Sequence, residues 1–158
     1  MELTNFIEPF VEVTRATFKD FVGIEVSPRH PHYMEPEKVF EWDVSSVIGL
    51  SGAVRGAVII SMKTDLAIKL ADILVGPPHT EIDADVVDAI GEVVNIIAGN
   101  IKPKVPNGDK IVISIPTTIR GKELSIAWPS KQTRVLCIPY KVFENDFFHL
   151  LVAIDYGE

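Results

Sequence analysis

Apolar side chains recur along the chain with two different periods, and these periods predict a mixture of helices and strands. Residues 3–22 repeat their apolar positions about every 3.6 residues, which predicts a helix that stops at Gly23. The same period predicts a short helix over residues 66–75 and a long one over residues 83–100, which Pro103 ends. Each helix then needs a sheet or another helix to cover its apolar face.

Strands are predicted where apolar residues alternate or run together. Residues 39–51 and 53–62 are two such segments, and Ser51-Gly52 predicts the turn of an antiparallel hairpin between them. Further strands are predicted over residues 110–115, 117–120, 124–128, 134–142 and 147–156. This order of elements predicts an α+β fold, in which a mainly antiparallel sheet packs against two long helices plus a shorter one.

The segment 27–36 interrupts the pattern with three prolines, so we expect an extended loop there. It carries His30 and His32, which raise the question of a metal site. Pro31 prevents the spacing that ligands have on a helix, and no third ligand is obvious nearby, so neither a metal nor another cofactor is predicted for this chain. The single cysteine, Cys137, lies in an apolar run and is interpreted as a buried strand residue.

Composition places the chain among globular proteins and argues against several classes of function. Its 158 residues, 47% apolar and 23% charged, predict a single domain over residues 1–158. The formal net charge of -7 argues against nucleic acid as a partner. No apolar run is long enough to span a membrane, and the start of the chain lacks the basic and apolar regions of a signal peptide, so we expect a cytoplasmic protein.

The long helix carries most of its polar residues on one side. At about 100° per residue, these positions and one glycine share an arc of roughly 80°, whereas the apolar positions share another. This polar stripe consists of Asp85, Asp88, Glu92, Asn95 and Gly99. A glycine inside a helix costs about 1 kcal/mol relative to alanine. Because this helix contains both Gly91 and Gly99, we expect another part of the chain or a partner to come close there.

From the residues alone, several interpretations of the polar stripe stay open. The ordinary one is a solvent-exposed face. An acid/base pair of Glu92 with Asp88 or Asp85 has no visible pocket that would shift the pKa values, and a di-iron site would need Glu-x-x-His pairs. Catalysis on another protein is a further hypothesis. The amide of Asn95 both donates and accepts hydrogen bonds, so it can hold a water in line with a phosphoryl group.

The pattern Glu92-x-x-Asn95-x-x-x-Gly99-Asn100 resembles the motif of the CheX/CheC/FliY family, whose members dephosphorylate the phosphorylated chemotaxis response regulator CheY. Residues 49–62 are similar to the strand-turn-strand unit of this family, and residues 116–121 and 138–154 are similar to its later strands. The motif occurs once, as in the CheX-like branch. The resemblance therefore implies a CheC/CheX-like fold and a phosphoaspartate phosphatase.

The resemblance also implies roles for the residues of the motif. Asn95 would orient the attacking water, and Glu92 would pair with the active-site lysine of the receiver, which binds Mg2+ itself. Asp88 and Gly99 are expected to contact the partner, and Gly99 would let the partner's backbone approach. Asn100 lies off the polar stripe toward the core, and we interpret it as a structural residue with a C-cap type of role. The competing hypothesis is a module that binds a receiver or a flagellar switch component through the same face without hydrolysis.

A homodimer joined through sheet edges is a further implication of the resemblance. Residues 116–128 are the candidates for pairing with their counterparts across a two-fold axis, which would leave the polar stripes free. The alternative is a monomer whose sheet edge is guarded by the charges of Lys122, Lys131 and Arg134.

Overall fold

An antiparallel sheet with helices on one face is the centre of the structure, a computed structural model that describes residues 3–34, 41–121 and 133–155. The helices are α1 (Ile7–Thr17), α2 (Thr64–Leu74) and α3 (Ala84–Ile101). The strands are β1 (Val26–Pro28), β2 (His32–Met34), β3 (Val44–Gly52), β4 (Arg55–Met62), β5 (Ile111–Ile113), β6 (Thr117–Arg120), β7 (Val135–Val142) and β8 (Asp146–Asp155). The predicted α+β fold is confirmed.

The sheet has long central strands and edges made of short ones. Its order is β1-β7-β8-β4-β3-β5, and every neighbouring pair is antiparallel. β2 lies beside β7 on the same side as β1, and β6 lies beside β3 on the same side as β5. Each described edge is therefore a tandem of two short strands, a common device for limiting association between sheets.

The centre of the sheet is buried on both faces because its side chains alternate along each strand. In β4, Val58 and Ile60 join the main core with the helices. Their neighbours Ala57 and Ile59 point the other way and cluster with Cys137 of β7. Cys137 is thus a buried strand residue, as predicted.

The predicted hairpin is confirmed, with its turn slightly displaced. β3 and β4 pair from Val44 opposite Met62 to Leu50 opposite Gly56. The chain reverses at residues 53–54, just after the predicted turn, and Gly52 adopts a φ of 84° that suits glycine.

Aromatic rings join the N-terminal helix to the sheet. α1 continues as a π-helical turn over Phe18–Val22 and stops at Gly23 in the left-handed conformation, as the sequence predicted. The ring of Phe18 stacks on Phe148 of β8, which stacks in turn on Tyr140 of β7, with 4.8 Å between ring centres in each pair. All three rings are buried, so they fix the end of this helix on the sheet.

The proline-rich segment is more ordered than its composition indicates. The expectation of an extended loop over residues 27–36 is wrong for the parts that form β1 and β2, which both pair with β7. Pro28 ends β1 at the sheet edge, where its missing N–H costs no ladder hydrogen bond. The strand predicted over residues 124–128 lies outside the described residues.

Candidate functional site

The start of α3 is fixed by a side-chain cap. Asp83 is the N-cap residue, and its Oδ1 accepts a hydrogen bond of 3.0 Å from the backbone N–H of Val86. The carbonyl of Asp83 accepts a second one, also 3.0 Å long, from the N–H of Val87. The carboxylate lies at the positive end of the helix, where a negative charge is favourable. The first turn therefore begins at a defined residue.

The predicted division of α3 into two faces is confirmed. Its apolar face packs against α1, α2 and β3. The residues of that face are buried: Val86, Ile90, Val93, Val94, Ile97 and Ile101. Along the polar stripe, Asp85, Asp88 and Glu92 are exposed, whereas Asn95 and Gly99 are half-buried. In the described part of the chain, no helix is long and apolar enough to cross a membrane.

The two glycines of α3 have different surroundings. A Cβ on Gly91 would lie 3.4 Å from the Cβ and Cγ of Pro116 and 3.8 Å from Oγ of Ser46. The residues before β6 therefore approach the helix closely at Gly91. A Cβ on Gly99 would meet no atom of the described residues within 4 Å. The close approach expected at these glycines is therefore made at Gly91 by the chain itself. At Gly99, the described residues make no such approach.

The polar groups at the centre of the stripe are available to a partner. Within the described residues, the side chains of Glu92 and Asn95 make no hydrogen bond or ion pair. They are three residues apart on one helix, so their Cβ atoms are about 5–6 Å apart. A carboxylate that accepts hydrogen bonds thus stands beside an amide that can both donate and accept them.

Asn100 is not a C-cap residue. α3 continues to Ile101, its C-cap is Lys102, and Asn100 is exposed. The predicted C-cap type of role is wrong because the helix continues past Asn100 and turns directly into a 3-10 helix at Lys102–Lys104, so its C-cap lies two residues later. The geometry does not test which role Asn100 has in the motif.

The structure brings together a histidine cluster that the sequence analysis missed. Nδ1 of His79 lies 2.8 Å from Oδ1 of Asp72 in α2, and Nε2 lies 3.4 Å from Oδ2 of Asp85 in α3. His79, Asp83 and Asp85 also place potential metal ligands within 4.8 Å of one another. No periodic signal could have found this cluster, because His79 lies in the loop between the two helices.

His30 and His32, the histidines considered from the sequence, do not form such a cluster within the described residues. Both are exposed, and Nδ1 of His32 lies 3.2 Å from the carbonyl oxygen of His30. The ring of His32 therefore contacts a backbone oxygen, not a group of ligands. That this chain needs no metal stays a prediction.

Comparison with known proteins gives a consistent result. The family model for the chemotaxis phosphatase CheX matches residues 44–141. A curated protein of Thermotoga maritima, CheY-P phosphatase CheX, is 27% identical over 143 residues, which are 89% of this chain and 90% of that protein. The crystal structure of a chemotaxis protein CheX from Desulfovibrio desulfuricans superposes with a TM-score of 0.83 at 25% identity, covering 96% of this chain and 99% of that one.

A structure of a complex is also similar to this chain. It is the CheX-CheY-BeF3-Mg2+ complex from Borrelia burgdorferi, with a TM-score of 0.78, 26% identity, and coverage of 95% of this chain and 97% of the matched chain. The similarity of these structures extends over nearly the whole of the present chain.

The open space at Gly99 leads to a prediction about stability. Gly99→Ala should raise the free energy of unfolding by up to about 1 kcal/mol, because alanine favours a helix and the added Cβ meets no atom. Gly91→Ala is the matched control and should gain less, because its Cβ would touch Pro116. Urea denaturation of both variants measures the difference. A destabilised Gly99→Ala protein would mean that this part of α3 is not open.

Proposed function

This chain belongs to the CheX family of chemotaxis phosphatases, and from that premise we propose that it hydrolyses the aspartyl phosphate of a CheY-like receiver. The observation that carries the proposal is the pair of Glu92 and Asn95, which stands without an intramolecular partner among the described residues on a helix fixed by its buried face. The name of the curated relative, CheY-P phosphatase CheX, supports the same substrate.

In the proposed reaction, Asn95 orients the water. Its amide oxygen accepts a hydrogen bond from a water whose own oxygen attacks the phosphorus atom, in line with the aspartyl oxygen that leaves. The new P–O bond forms as the acyl phosphate bond breaks, which gives inorganic phosphate and the free aspartate. Because the transition state of phosphoryl transfer is loose, the water needs placement more than it needs a strong base.

Glu92 and its neighbours on the polar stripe are proposed to dock the receiver. The exposed carboxylate of Glu92 would pair with the receiver's active-site lysine, and Asp88, one turn earlier, would add negative charge beside it. Gly99, one turn after Asn95, would let the partner's backbone approach where no side chain from the described part of the chain intervenes. The open space at Gly99 supports this arrangement.

Mg2+ is proposed to come with the receiver, so that this chain contributes no metal or cofactor to the reaction. The relative from Borrelia burgdorferi, solved with CheY, BeF3 and Mg2+, supports this assignment of Mg2+ to the receiver. A cytoplasmic location, where such receivers act, stays a prediction.

We also propose that the protein is a homodimer joined at the edge that β5 and β6 form. Three apolar side chains of this region are solvent-exposed: Val112 by 59%, Ile115 by 83% and Ile119 by 40%. Arg134, one of the residues considered as guards, stacks 3.4 Å above the centre of the Tyr33 ring in β2, at the opposite edge. Lys122, Lys131 and most of segment 116–128 lie outside the described residues.

Asn95→Ala should lower the rate of receiver dephosphorylation by about 10²-fold or more, the scale of losing one positioned catalytic group. The variant should fold normally, because the side chain makes no internal hydrogen bond within the described residues. Phosphate release from a phosphorylated receiver, with this protein in substoichiometric amount and Mg2+ present, measures the rate. Asn100→Ala removes the same chemical group from an exposed position of the same helix and should retain activity.

The same assay separates the two candidate functions. Release of many phosphates per molecule of this protein supports the phosphatase. Binding of the phosphorylated receiver without faster release would instead establish the non-catalytic binding module, and equal rates for wild type and Asn95→Ala would remove Asn95 from the mechanism.

Glu92→Ala should weaken binding of the phosphorylated receiver, by about 2–5 kcal/mol if the charge pair is desolvated in the complex. Glu92→Lys should bind more weakly still, because it places like charges together. Isothermal calorimetry in the Asn95→Ala background measures the affinity, with BeF3 and Mg2+ on the receiver as a stable substitute for the phosphoryl group. Glu8→Lys in α1 changes the net charge equally at another exposed site and is the control. Normal binding by Glu92→Lys would contradict the proposed pairing.

Ile115→Asp should convert the proposed dimer into a monomer, because a desolvated carboxylate at an apolar interface is costly. Sedimentation equilibrium at micromolar concentration gives the mass of wild type and variant. Val75→Asp, at an exposed apolar position after α2, is the control and should remain dimeric. A wild-type protein that sediments as a monomer would overturn the edge-joined dimer.

A further inference from the structure

A histidine whose side chain is largely enclosed joins α2 to the first turn of α3. The side chain of His79 is only 5% exposed and lies between two carboxylates, Asp72 in the last turn of α2 and Asp85 in the first turn of α3. The Asp72 contact is the shorter, at 2.8 Å, and the Asp85 contact is 3.4 Å long. Both ring nitrogens of one imidazole therefore face acidic groups from two different helices.

The chemistry of imidazole makes this arrangement depend on a proton. An ionised carboxylate can only accept hydrogen bonds, and a neutral imidazole has a single N–H to donate. If that hydrogen stays on Nδ1 for the shorter bond to Asp72, the lone pair of Nε2 faces the carboxylate of Asp85. The imidazolium form donates from both nitrogens and carries a charge opposite to both partners. Only protonated His79 can satisfy the two helices together.

The charges around His79 favour the protonated form. The hydrogen bond to Asp72 raises the pKa of His79 above its ordinary value, while burial of the ring opposes this, and Asp85 and Asp83 raise the pKa further. On the side of β6, Nη1 of Arg120 donates a hydrogen bond of 2.7 Å to the carbonyl of Ile82, a neutral group of the same loop. The groups that face the ring from α2 and α3 are thus all acidic.

We propose that His79 is a proton-dependent clamp that, when protonated, holds the first turn of α3 to α2, and that releases Asp85 when it loses the proton. Asp85 is the first residue of the polar stripe. Its release would therefore loosen the contact of the first turn of α3 with α2, and loss of the proton would make the net charge there more negative by one unit. The clamp concerns the isolated chain, and only the statement that it acts on a docking helix rests on the proposed function.

The direction of the effect on stability follows from linkage. In the unfolded chain, a histidine has a pKa of about 6.5, and in the folded chain the hydrogen bond to Asp72 raises the pKa of His79 above that value. The folded state therefore binds more protons across this interval. The contribution of the clamp is complete below the unfolded pKa and is lost as the pH rises through the folded pKa.

Proton NMR of the isolated full chain, recorded from acidic to mildly alkaline pH with a chelator in every sample, tests the clamp. The four histidines are assigned by single His→Gln variants. We expect the pKa of the His79 ring to lie above the ordinary histidine value of about 6.5. Asp72→Asn should lower the His79 pKa more than Asp85→Asn does, because Asp72 makes the shorter contact. A His79 pKa at or below the ordinary value would overturn the proposal.

Amide hydrogen exchange tests whether protonation of His79 also stabilises the first turn of α3. The N–H of Val87 donates to the carbonyl of Asp83 in the first turn, and the N–H of Val94 lies in the middle of α3. After correction for intrinsic exchange, protection of Val87 should fall severalfold as the pH passes the His79 titration, whereas Val94 should not change. In His79→Gln the Val87 protection should be low at every pH.

Two results would contradict the clamp without involving a receiver. One is protection of Val87 that is independent of pH in the wild-type chain. The other is pH-dependent protection that appears only when the chelator is replaced by Zn2+, which would assign His79, Asp83 and Asp85 to a metal instead of a proton. If the NMR and hydrogen-exchange results support the clamp but the protein does not accelerate receiver dephosphorylation, only the proposed function is contradicted.

Discussion

The proposed site depends on one constraint, the fixed orientation of α3 about its own axis. Its apolar face is buried against α1, α2 and β3, and at Gly91 the approach of Pro116 leaves no room for a side chain larger than a methyl group without a shift. A helix seated in this way cannot turn by one residue, about 100°, without moving apolar groups into water and polar groups into the core. The exposure of Glu92 and Asn95 is therefore a consequence of the packing on the opposite face.

The ends of α3 are held by different means. At the start, the Asp83 cap, the His79 contacts and the bond from Arg120 to Ile82 are all polar. At the other end, a Cβ on Gly108 would overlap the carbonyl oxygen of Lys102, so backbone meets backbone directly. The ion pair of Lys104 with Glu12 at this end is solvent-exposed and therefore contributes little. Polar contacts respond to pH and charge, whereas close packing does not. Any adjustment of the helix by solution conditions should consequently concentrate at its N-terminal end.

The sequence predicted those parts of the structure that depend on local pattern. The 3.6-residue period of α3 separates buried Val93 from exposed Glu92, and both outcomes are confirmed. The prediction failed where a segment depends on a distant partner. β1 and β2 exist because β7 offers a free edge, which overrides the prolines around them. Likewise, His79 meets its two carboxylates only when α2 and α3 are brought side by side. Asn100 was misplaced because Pro103 marks the end of the helix only to within a few residues, and the helix continues to Ile101 before the 3-10 turn.

Gly91 and Gly99 show how packing and function can be distinguished on one helix. Each costs α3 about 1 kcal/mol of helix propensity relative to alanine. At Gly91 the close approach of Pro116 gives the small residue a use within the chain. At Gly99 no atom of the described ranges comes within 4 Å of where a Cβ would lie. An unfavourable residue that the fold itself does not use is most simply explained by something outside the fold. The half-buried Asn95 lies one turn before it, so a partner that approached at Gly99 would also lie within about one helical turn of the amide proposed to hold the water.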